Sequence, residues 1–322
     1  MLRSRLFAML AGLLLAGPLL AAQTDWPTRP VTLLVPFPAG GTVDIIARTI
    51  GQKLGVDLGQ TFIVENRGGA GGTIGTAMLA HAAPDGYTLL VNHMGLAFNA
   101  SLYEHLTYDT LRDVVPVAYV GATPNVLVVT NSFPAKTVPE FLALARAKPG
   151  SIDYGSGGVG SAGHLAMALL ESATGVKLQH VPYKGNGPAI IDLISGQIQV
   201  ILATIPAVMP YIASGKMRAI ATSGNHRSAA LPDLPTLDEA GVKGFDYQPW
   251  YGVFAPAGTP PAVLDKLHDT INEILADPEI SRKLGQQGLE VQRLTRQQFT
   301  DIVHGDVSKW AKIIKTLGIK TD

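Results

Sequence analysis

The sequence has no cysteine and comparatively little charge. None of its 322 residues is cysteine, which excludes disulfide bonds and zinc–thiolate sites. Charged residues make up only 16% of the chain, and 25 basic residues balance 25 acidic ones. No basic patch of the kind that binds nucleic acid is present, so a nucleic-acid partner is excluded. The hydrophobic fraction of 47% is ample for a large core, which excludes a disordered chain.

Long apolar segments are also missing after the N-terminus. The apolar run Leu6–Leu20 follows Arg3 and Arg5 and ends in small residues at Ala22. This pattern predicts a secretory signal peptide over residues 1–22, and hence export to the periplasm. The alternative is an uncleaved membrane anchor, for which the run is short, since a span needs about 20 apolar residues. Removal of Arg3 and Arg5 leaves 23 basic against 25 acidic residues, so bulk positive charge cannot hold an anion.

Short strand-like runs alternate with helical stretches along the rest of the chain. Early strands are predicted at Val31–Val35, Thr61–Val64 and Tyr87–Val91, with helices between them. Later strands are predicted at residues 117–120, 125–130, 152–154, 178–181, 198–203 and 217–222. Further helices are predicted at residues 138–147, 162–174, 187–195, 261–277, 278–287 and 297–317. The alternation predicts an α/β fold with parallel sheets covered by helices on both faces.

The later strands form a set of their own, nested inside the first. The chain leaves the first lobe near residue 121 and returns near residue 223. We therefore predict a first lobe from residues 23–121 plus 224–322 and a second lobe from residues 122–223. Two crossing segments make a hinge, and the cleft lies at the carboxyl ends of the strands, where open sheets bind ligands.

Two glycine-rich turns stand about 115 residues apart, each between a predicted strand and a predicted helix. The first is Phe37–Asp44 and the second is Gly155–His164. A helix N-terminus has N–H groups without partners and a partial positive charge, and glycine lets a ligand approach them. The two turns therefore predict a two-sided clamp for an anion. The candidate ligand-binding residues in them are Phe37, Pro38, Ala39, Gly40, Gly41, Thr42, Asp44, Ser156, Gly158, Val159, Gly160, Ser161 and His164.

Other interpretations of these turns stay open. Gly155–Gly160 spells G-x-G-x-x-G, but a dinucleotide site also needs an acidic residue after the next strand, which ends instead in Pro182-Tyr183-Lys184. A tight turn without a ligand is a further alternative. Asp44 is an acceptor only, so it fixes the loop or orients a ligand donor and does not itself hold a carboxylate. His164 has either a structural hydrogen bond or a ligand contact.

A third turn, Pro182–Pro188, also joins a strand to a helix. Tyr183, Lys184 and Gly185 are predicted to form a cleft wall, where Lys184 either counters an anion or is simply solvated. No G-x-S-x-G elbow, phosphate-binding loop or metal-spaced histidine pair occurs in the sequence. The pattern predicts a binding protein without a cofactor, a metal or a catalytic residue, and not an enzyme.

Seven stretches of the sequence together resemble the Bug family, the periplasmic solute-binding proteins of tripartite tricarboxylate transport (TctC-type) systems. The stretches are Val35–Asp44, Val64–Gly75, Asp85–Leu89, Gly155–Leu165, Val181–Gly187, Leu231–Thr236 and Trp250–Pro260. The resemblance covers nearly all of the exported chain, and the order and spacing of these stretches make it specific.

This resemblance implies a two-lobed, type II-like Venus-flytrap fold of periplasmic binding proteins. It also implies a monomer that holds a small di- or tricarboxylate or an aromatic acid through backbone amides and waters. A distal ligand group would meet Tyr183–Gly185 and Thr204, and we place Asn92 and Phe98 near the same cleft. The implied partner is a membrane transporter. A sensor of the same fold, with a signalling partner, is the alternative.

Overall fold

The computed structural model describes residues 25–183, 185–286 and 288–320, which form eleven strands and ten α-helices. The predicted signal peptide and Lys184 lie outside the described residues. The strands are β1 Val31–Val35, β2 Phe62–Asn66, β3 Thr88–His93, β4 Val114–Ala122, β5 Asn125–Val129, β6 Asp153–Ser156, β7 Gln179–Pro182, β8 Val200–Thr204, β9 Arg218–Thr222, β10 Trp250–Pro256 and β11 Glu290–Val291. The helices are α1 Thr42–Leu58, α2 Thr73–Ala80, α3 Gly95–Leu102, α4 Val138–Ala147, α5 Ala162–Thr174, α6 Asn186–Ser195, α7 Ile205–Ala213, α8 Pro261–Ala276, α9 Pro278–Gly285 and α10 Arg296–Leu317.

The strands form two separate sheets. The first has the order β11-β4-β10-β3-β1-β2, and the second has the order β7-β6-β8-β5-β9. Strands β1, β2 and β3 are parallel, and so are β6, β7 and β8. The predicted parallel arrangement is confirmed for these six strands. Strands β10 and β5 run antiparallel to both of their neighbours, and β11 runs antiparallel to β4. Each of β10 and β5 is the first strand after the chain crosses between the sheets.

The chain crosses between the sheets twice, and the two crossings are hydrogen-bonded to each other. One crossing follows β4, and the other lies between β9 and β10. The Ser223 amide donates to the Asn125 carbonyl over 2.8 Å, and the Asn125 amide donates to Ser223 Oγ, also over 2.8 Å. Ser223 Oγ donates in turn to the Tyr247 carbonyl over 2.5 Å. These bonds lie close to the predicted lobe boundaries near residues 121 and 223, which stay predictions.

The helix boundaries follow local capping signals. Thr137 accepts a hydrogen bond from the Glu140 amide at the start of α4, and Ser161 accepts one from the His164 amide at the start of α5. A capping box at Thr295 begins α10. In the parts of the chain that the structure describes, we find no helix of sufficient length and hydropathy to cross a membrane.

Helix α10 joins the two lobes through an aromatic contact chain. Its Trp310 is 1% exposed and packs edge to face against Phe98 of α3, with ring centroids 4.6 Å apart. Trp310 also packs against Tyr247 of the second crossing, with centroids 5.8 Å apart. The Tyr247 hydroxyl donates to the Ala162 carbonyl in the first turn of α5 over 2.8 Å. These contacts therefore connect α3 of the first lobe to α5 of the second through Trp310 and Tyr247.

Candidate functional site

A cavity of about 390 Å³ lies between the two lobes, where loops from both sheets face each other. This volume is in the usual range for small-molecule sites. From the first lobe it is lined by Phe37, Gly71, His93, Gly95, Phe98, Asn99, Leu102 and Tyr103. From the second lobe it is lined by Gly157, Val159, Gly160, Ser161, Ala162, Gly185 and Asn186. The strand-to-helix turns of both sheets therefore contribute to one cavity.

Two helices of the second lobe begin at the cavity wall. Helix α5 starts at Ala162, so the amides of Ala162 and Gly163 have no carbonyl within the helix to bond. Helix α6 starts at Asn186, and the amides of Asn186 and Gly187 are in the same position. The partial positive charge of both helix N-termini therefore lies on this side of the cavity.

The second glycine-rich turn uses several of its amides to hold its own shape. The Gly158 amide donates to Ser156 Oγ over 3.1 Å, and the Gly160 amide donates to His164 Nδ1 over 3.0 Å. The φ angles of Gly158 and Gly160 are 121° and 74°, which favour glycine. The amides of Gly158 and Gly160 are thus hydrogen-bonded within the turn, and these bonds stabilise its conformation.

His164 lies in a stack of rings behind that turn. Its ring is parallel to the His180 ring, with centroids 4.1 Å apart, and the Tyr154 ring also stacks near both, with its centroid 4.8 Å from that of His180 and 6.4 Å from that of His164. The His180 Nε2 lies 2.7 Å from Ser156 Oγ. Burial, with a smaller effect of His180, lowers the pKa of His164 to about 4, and burial also lowers the pKa of His180. Both rings are therefore neutral at pH 7, and His164 has the structural hydrogen bond that the sequence left open.

The first glycine-rich turn contributes Phe37 to the cavity, whereas Pro38, Ala39, Gly40 and Gly41 are exposed. The amides of Thr42 and Val43 begin α1 and have no carbonyl within that helix to bond. Burial raises the pKa of the nearby Tyr251 hydroxyl to about 12, and the Thr42 side chain partly offsets this effect. This turn therefore lies next to the cavity, and helix α1 begins directly after it.

Asp44 holds the first turn in place. Its carboxylate is 3% exposed and accepts hydrogen bonds from the Gly40 amide, from Arg48 and from the Asn66 amide group, at 2.9–3.0 Å. Burial by itself would raise the pKa of Asp44, but these hydrogen bonds outweigh it and lower the pKa. These bonds hold the turn, as the loop-fixing alternative expects, and a role of Asp44 in orienting a ligand donor stays a prediction.

Of the candidate residues, only Phe37, Val159, Gly160, Ser161 and Gly185 are in the described lining of the cavity. Three candidates outside the two glycine-rich turns are among those absent from it. Asn92 is buried, donates to Thr76 Oγ1 over 3.2 Å and accepts from the His93 amide. The Tyr183 hydroxyl donates to Asp192 over 2.7 Å, so it faces α6. Thr204 ends β8 opposite Asn125, next to the crossing segments. Contacts of these three residues with a ligand stay predictions, as do those of Lys184, which lies outside the described residues.

Sequence reasoning missed most of the first-lobe wall. Helix α3 was not predicted, because six of its eight residues are buried and no polar face alternates with an apolar one. It contributes Gly95, Asn99 and Leu102 to the cavity, together with Phe98, which the sequence analysis did place near the cleft. His93 was missed: its Nδ1 accepts the Gly95 amide over 2.7 Å, and its ring stacks on Phe37 with centroids 4.8 Å apart. A histidine at the end of a buried strand was the available signal.

The described lining of the cavity has no charged side chain at pH 7. Burial lowers the pKa of His93 to about 4, so this ring is neutral at pH 7. The described residues that line the cavity include no Asp, Glu, Lys or Arg. Within the described ranges there is also no cluster of three or more His, Asp or Glu side chains that could hold a metal ion. The described residues of the walls therefore offer a ligand neutral donors, backbone dipoles and ring faces.

A family model described as the tripartite tricarboxylate transporter family receptor, TctC, matches residues 46–319. The chain belongs to this family. Like the other TctC receptors, it is a solute-binding protein and not an enzyme, which excludes the nucleotide-using alternative.

Several TctC relatives match over nearly the whole chain. Protein BugT of Bordetella pertussis is 36% identical over 322 residues, covering 98% of each chain. The solved structure of R. palustris Rpa4515 with adipate is 36% identical, with a TM-score of 0.83, and covers 92% of this chain and 100% of that one. MatC from Rhodopseudomonas palustris with bound malate is 33% identical, with a TM-score of 0.79, and covers 90% of this chain and 100% of that one. The two-lobed fold of periplasmic binding proteins is thereby confirmed.

Proposed function

We propose that this TctC receptor captures a small carboxylate between its lobes and delivers it to the membrane subunits of a tripartite tricarboxylate transport system. It would act in the periplasm as a monomer, after removal of residues 1–22, and without a cofactor. The carboxylate would be held by backbone amides and not by a cationic side chain.

One observation carries this proposal: two helices begin at the wall of a cavity that has no charged side chain among its described residues. Charge-assisted hydrogen bonds from amides to a carboxylate are stronger than neutral ones. The first amides of α5 and α6, which have no acceptor within their helices, would bond an anion more strongly than a neutral acceptor. The adipate and malate bound by two relatives are anions of this class.

Closure of the two lobes would complete the site. The exposed first turn, Pro38–Gly41, lies beside the cavity mouth and precedes the free amides of α1. A ligand that bridges both lobes favours the closed form by its additional contacts there. The closed form would then present the surface that the transporter recognises.

The experiment is isothermal titration calorimetry with adipate, malate and benzoate, each paired with its uncharged amide. We expect at least one acid to bind while its amide does not, because the amide lacks the charge that the helix N-termini favour. A matching test of delivery is uptake of that acid by cells with and without the receptor. The proposal fails if no acid binds, or if each amide binds as tightly as its acid.

A further inference from the structure

The end of helix α3 presents two polar side chains to the cavity. Asn99 and Tyr103 both line it, and they are four residues apart, which places them on the same face of a helix. The Tyr103 amide donates to the Asn99 carbonyl over 3.3 Å, and α3 ends there. The helix backbone therefore holds these two side chains next to each other on the first-lobe wall.

The Asn99 side chain has a fixed orientation that leaves its oxygen available. Its amide nitrogen donates to the Gly71 carbonyl over 3.0 Å, which determines the position of the amide oxygen, Oδ1. Among the described residues, no group donates a hydrogen bond to Asn99 Oδ1. The residue is 3% exposed, and a buried acceptor is costly to leave without a donor. A ligand that supplies this donor would therefore gain affinity.

The Tyr103 hydroxyl is the neighbouring donor. The ring is partly buried, and burial raises the pKa of the hydroxyl, which therefore keeps its proton at pH 7. No hydrogen-bond partner of this hydroxyl is found in the part of the chain that the structure describes. The proton is consequently available to an acceptor on a ligand.

Gly71 leaves both oxygen atoms accessible. A Cβ on residue 71 would lie 2.9 Å from the Tyr103 hydroxyl and 3.5 Å from Asn99 Oδ1. The two oxygen atoms therefore lie on the same side of Gly71, where one small polar group can reach both. The φ angle of Gly71 is 62°, which also favours glycine at this position.

A donor beside an acceptor matches a hydroxyl group better than a charged one. A hydroxyl can accept from Tyr103 and donate to Asn99 at the same time. A second carboxylate has acceptors only, so it would lie against Asn99 Oδ1 without a donor to offer it. An ammonium group would lose its hydration without a carboxylate among the described lining residues to replace it.

We infer that Tyr103 and Asn99 are specificity-determining residues that bind a hydroxyl group on the body of the ligand. The ligand hydroxyl would accept from the Tyr103 hydroxyl and donate to Asn99 Oδ1, while the carboxylate of the same ligand would face the starts of α5 and α6. This inference depends on the proposed function, since it assumes that the same cavity holds the anion. It concerns a group that the acid carries and applies to mono- and dicarboxylates alike.

The test compares acids that differ by one hydroxyl group, using isothermal titration calorimetry. The pairs are malate with succinate, 3-hydroxybutyrate with butyrate, and mandelate with phenylacetate. We expect at least one hydroxy acid to bind at least roughly tenfold more tightly than its partner, because the partner leaves Tyr103 and Asn99 without their hydrogen bonds. If acids bind but every partner without the hydroxyl binds as tightly as its hydroxy acid, the inference is overturned and the proposed function stands. Failure of all six acids refutes both.

A pair of conservative variants assigns the preference to Tyr103. Tyr103→Phe removes only the hydroxyl, and Tyr108→Phe makes the same change at a buried tyrosine of the first lobe, outside the cavity lining. We expect Tyr103→Phe to weaken the hydroxy acid roughly tenfold and to leave its partner unchanged, so that the preference disappears. Tyr108→Phe should keep both affinities. A preference that survives Tyr103→Phe, or an equal loss for both acids of the pair, would overturn the inference.

Discussion

His164 offers a direct test of how the second glycine-rich turn is held. Its Nδ1 accepts the Gly160 amide over 3.0 Å, and its side chain packs flat against His180. A protonated Nδ1 carries hydrogen and cannot accept that bond, so the turn requires a neutral ring. The substitution His164→Asn places an amide oxygen near the same position, where it can accept the bond but cannot titrate.

The size of the effect follows from the pKa of His164. Burial, and then His180, lowers this pKa from 6.5 to about 4 in the folded protein. Between these values the unfolded chain binds a proton that the folded chain refuses, so the stability is complete above pH 6.5 and is lost as the pH falls toward 4. The linkage relation gives a loss of about 2 kcal/mol from this one group between pH 7 and pH 5.

The assay is urea unfolding at pH 7 and pH 5, followed by tryptophan fluorescence. The measured quantity is the difference in unfolding free energy between the two pH values, because loss of the ring lowers stability at both. We expect this difference to be about 2 kcal/mol smaller in His164→Asn than in the wild type. The exposed His304 of α10 supplies the control variant His304→Asn, which should match the wild type. An unchanged pH dependence in His164→Asn would refute the reasoning.

Three further predictions concern the cavity, the first turn and the hinge. Gly157→Ala places a Cβ 2.9 Å from the Asn186 side chain, so calorimetry should show at least roughly tenfold weaker acid binding, while Gly305→Ala on α10, in open space and outside the described cavity lining, should bind normally. Asp44→Asn weakens three hydrogen bonds, so urea unfolding should show a loss of about 1–3 kcal/mol; no loss would mean that the carboxylate does not hold the turn. Ser223→Ala leaves a buried amide without its acceptor, at a cost of about 1–3 kcal/mol in the same assay, and unchanged stability would contradict that role.

Much of the secondary structure was predictable because local signals define it. Helices α4 and α5 have the predicted boundaries, and each is preceded by a hydroxyl residue, Thr137 or Ser161, that caps it. Helix α3 and strand β10 were not predicted as elements. Every residue of β10 is buried, so it lacks the alternation that identifies a strand with one exposed face. Tertiary burial, not local pattern, determines these two elements.

The candidate site was predictable in part, because some of its features are also local in the sequence. A glycine-rich turn between a strand and a helix is visible in the sequence, and both turns lie at or beside the cavity. The hydrogen-bond acceptor of each amide cannot be read from the sequence, because it depends on how side chains such as His164 fold back onto the turn. The position of Phe98 in the first-lobe wall depends on the packing of α3 against α10, and a local sequence pattern does not encode that packing.

The two antiparallel strands bring both crossing segments to one place. Strand β10 lies between β3 and β4, and β5 lies between β8 and β9, and each follows a crossing directly. The crossings consequently run side by side, and the Thr123 amide donates to the Pro249 carbonyl over 3.0 Å. A movement of one lobe against the other must be absorbed in this narrow pair of segments.

The same pair is connected to the cavity wall through Tyr247. Its backbone carbonyl accepts Ser223 Oγ within the hinge, and its hydroxyl donates to the Ala162 carbonyl at the start of α5. Tyr247 is 2% exposed, and burial raises the pKa of its hydroxyl well above the ordinary value, so this donor keeps its proton at every physiological pH. In the proposed function, an anion that draws the first turn of α5 toward the cleft would therefore act on a residue that is itself part of the hinge, which would link capture of the ligand to closure of the lobes.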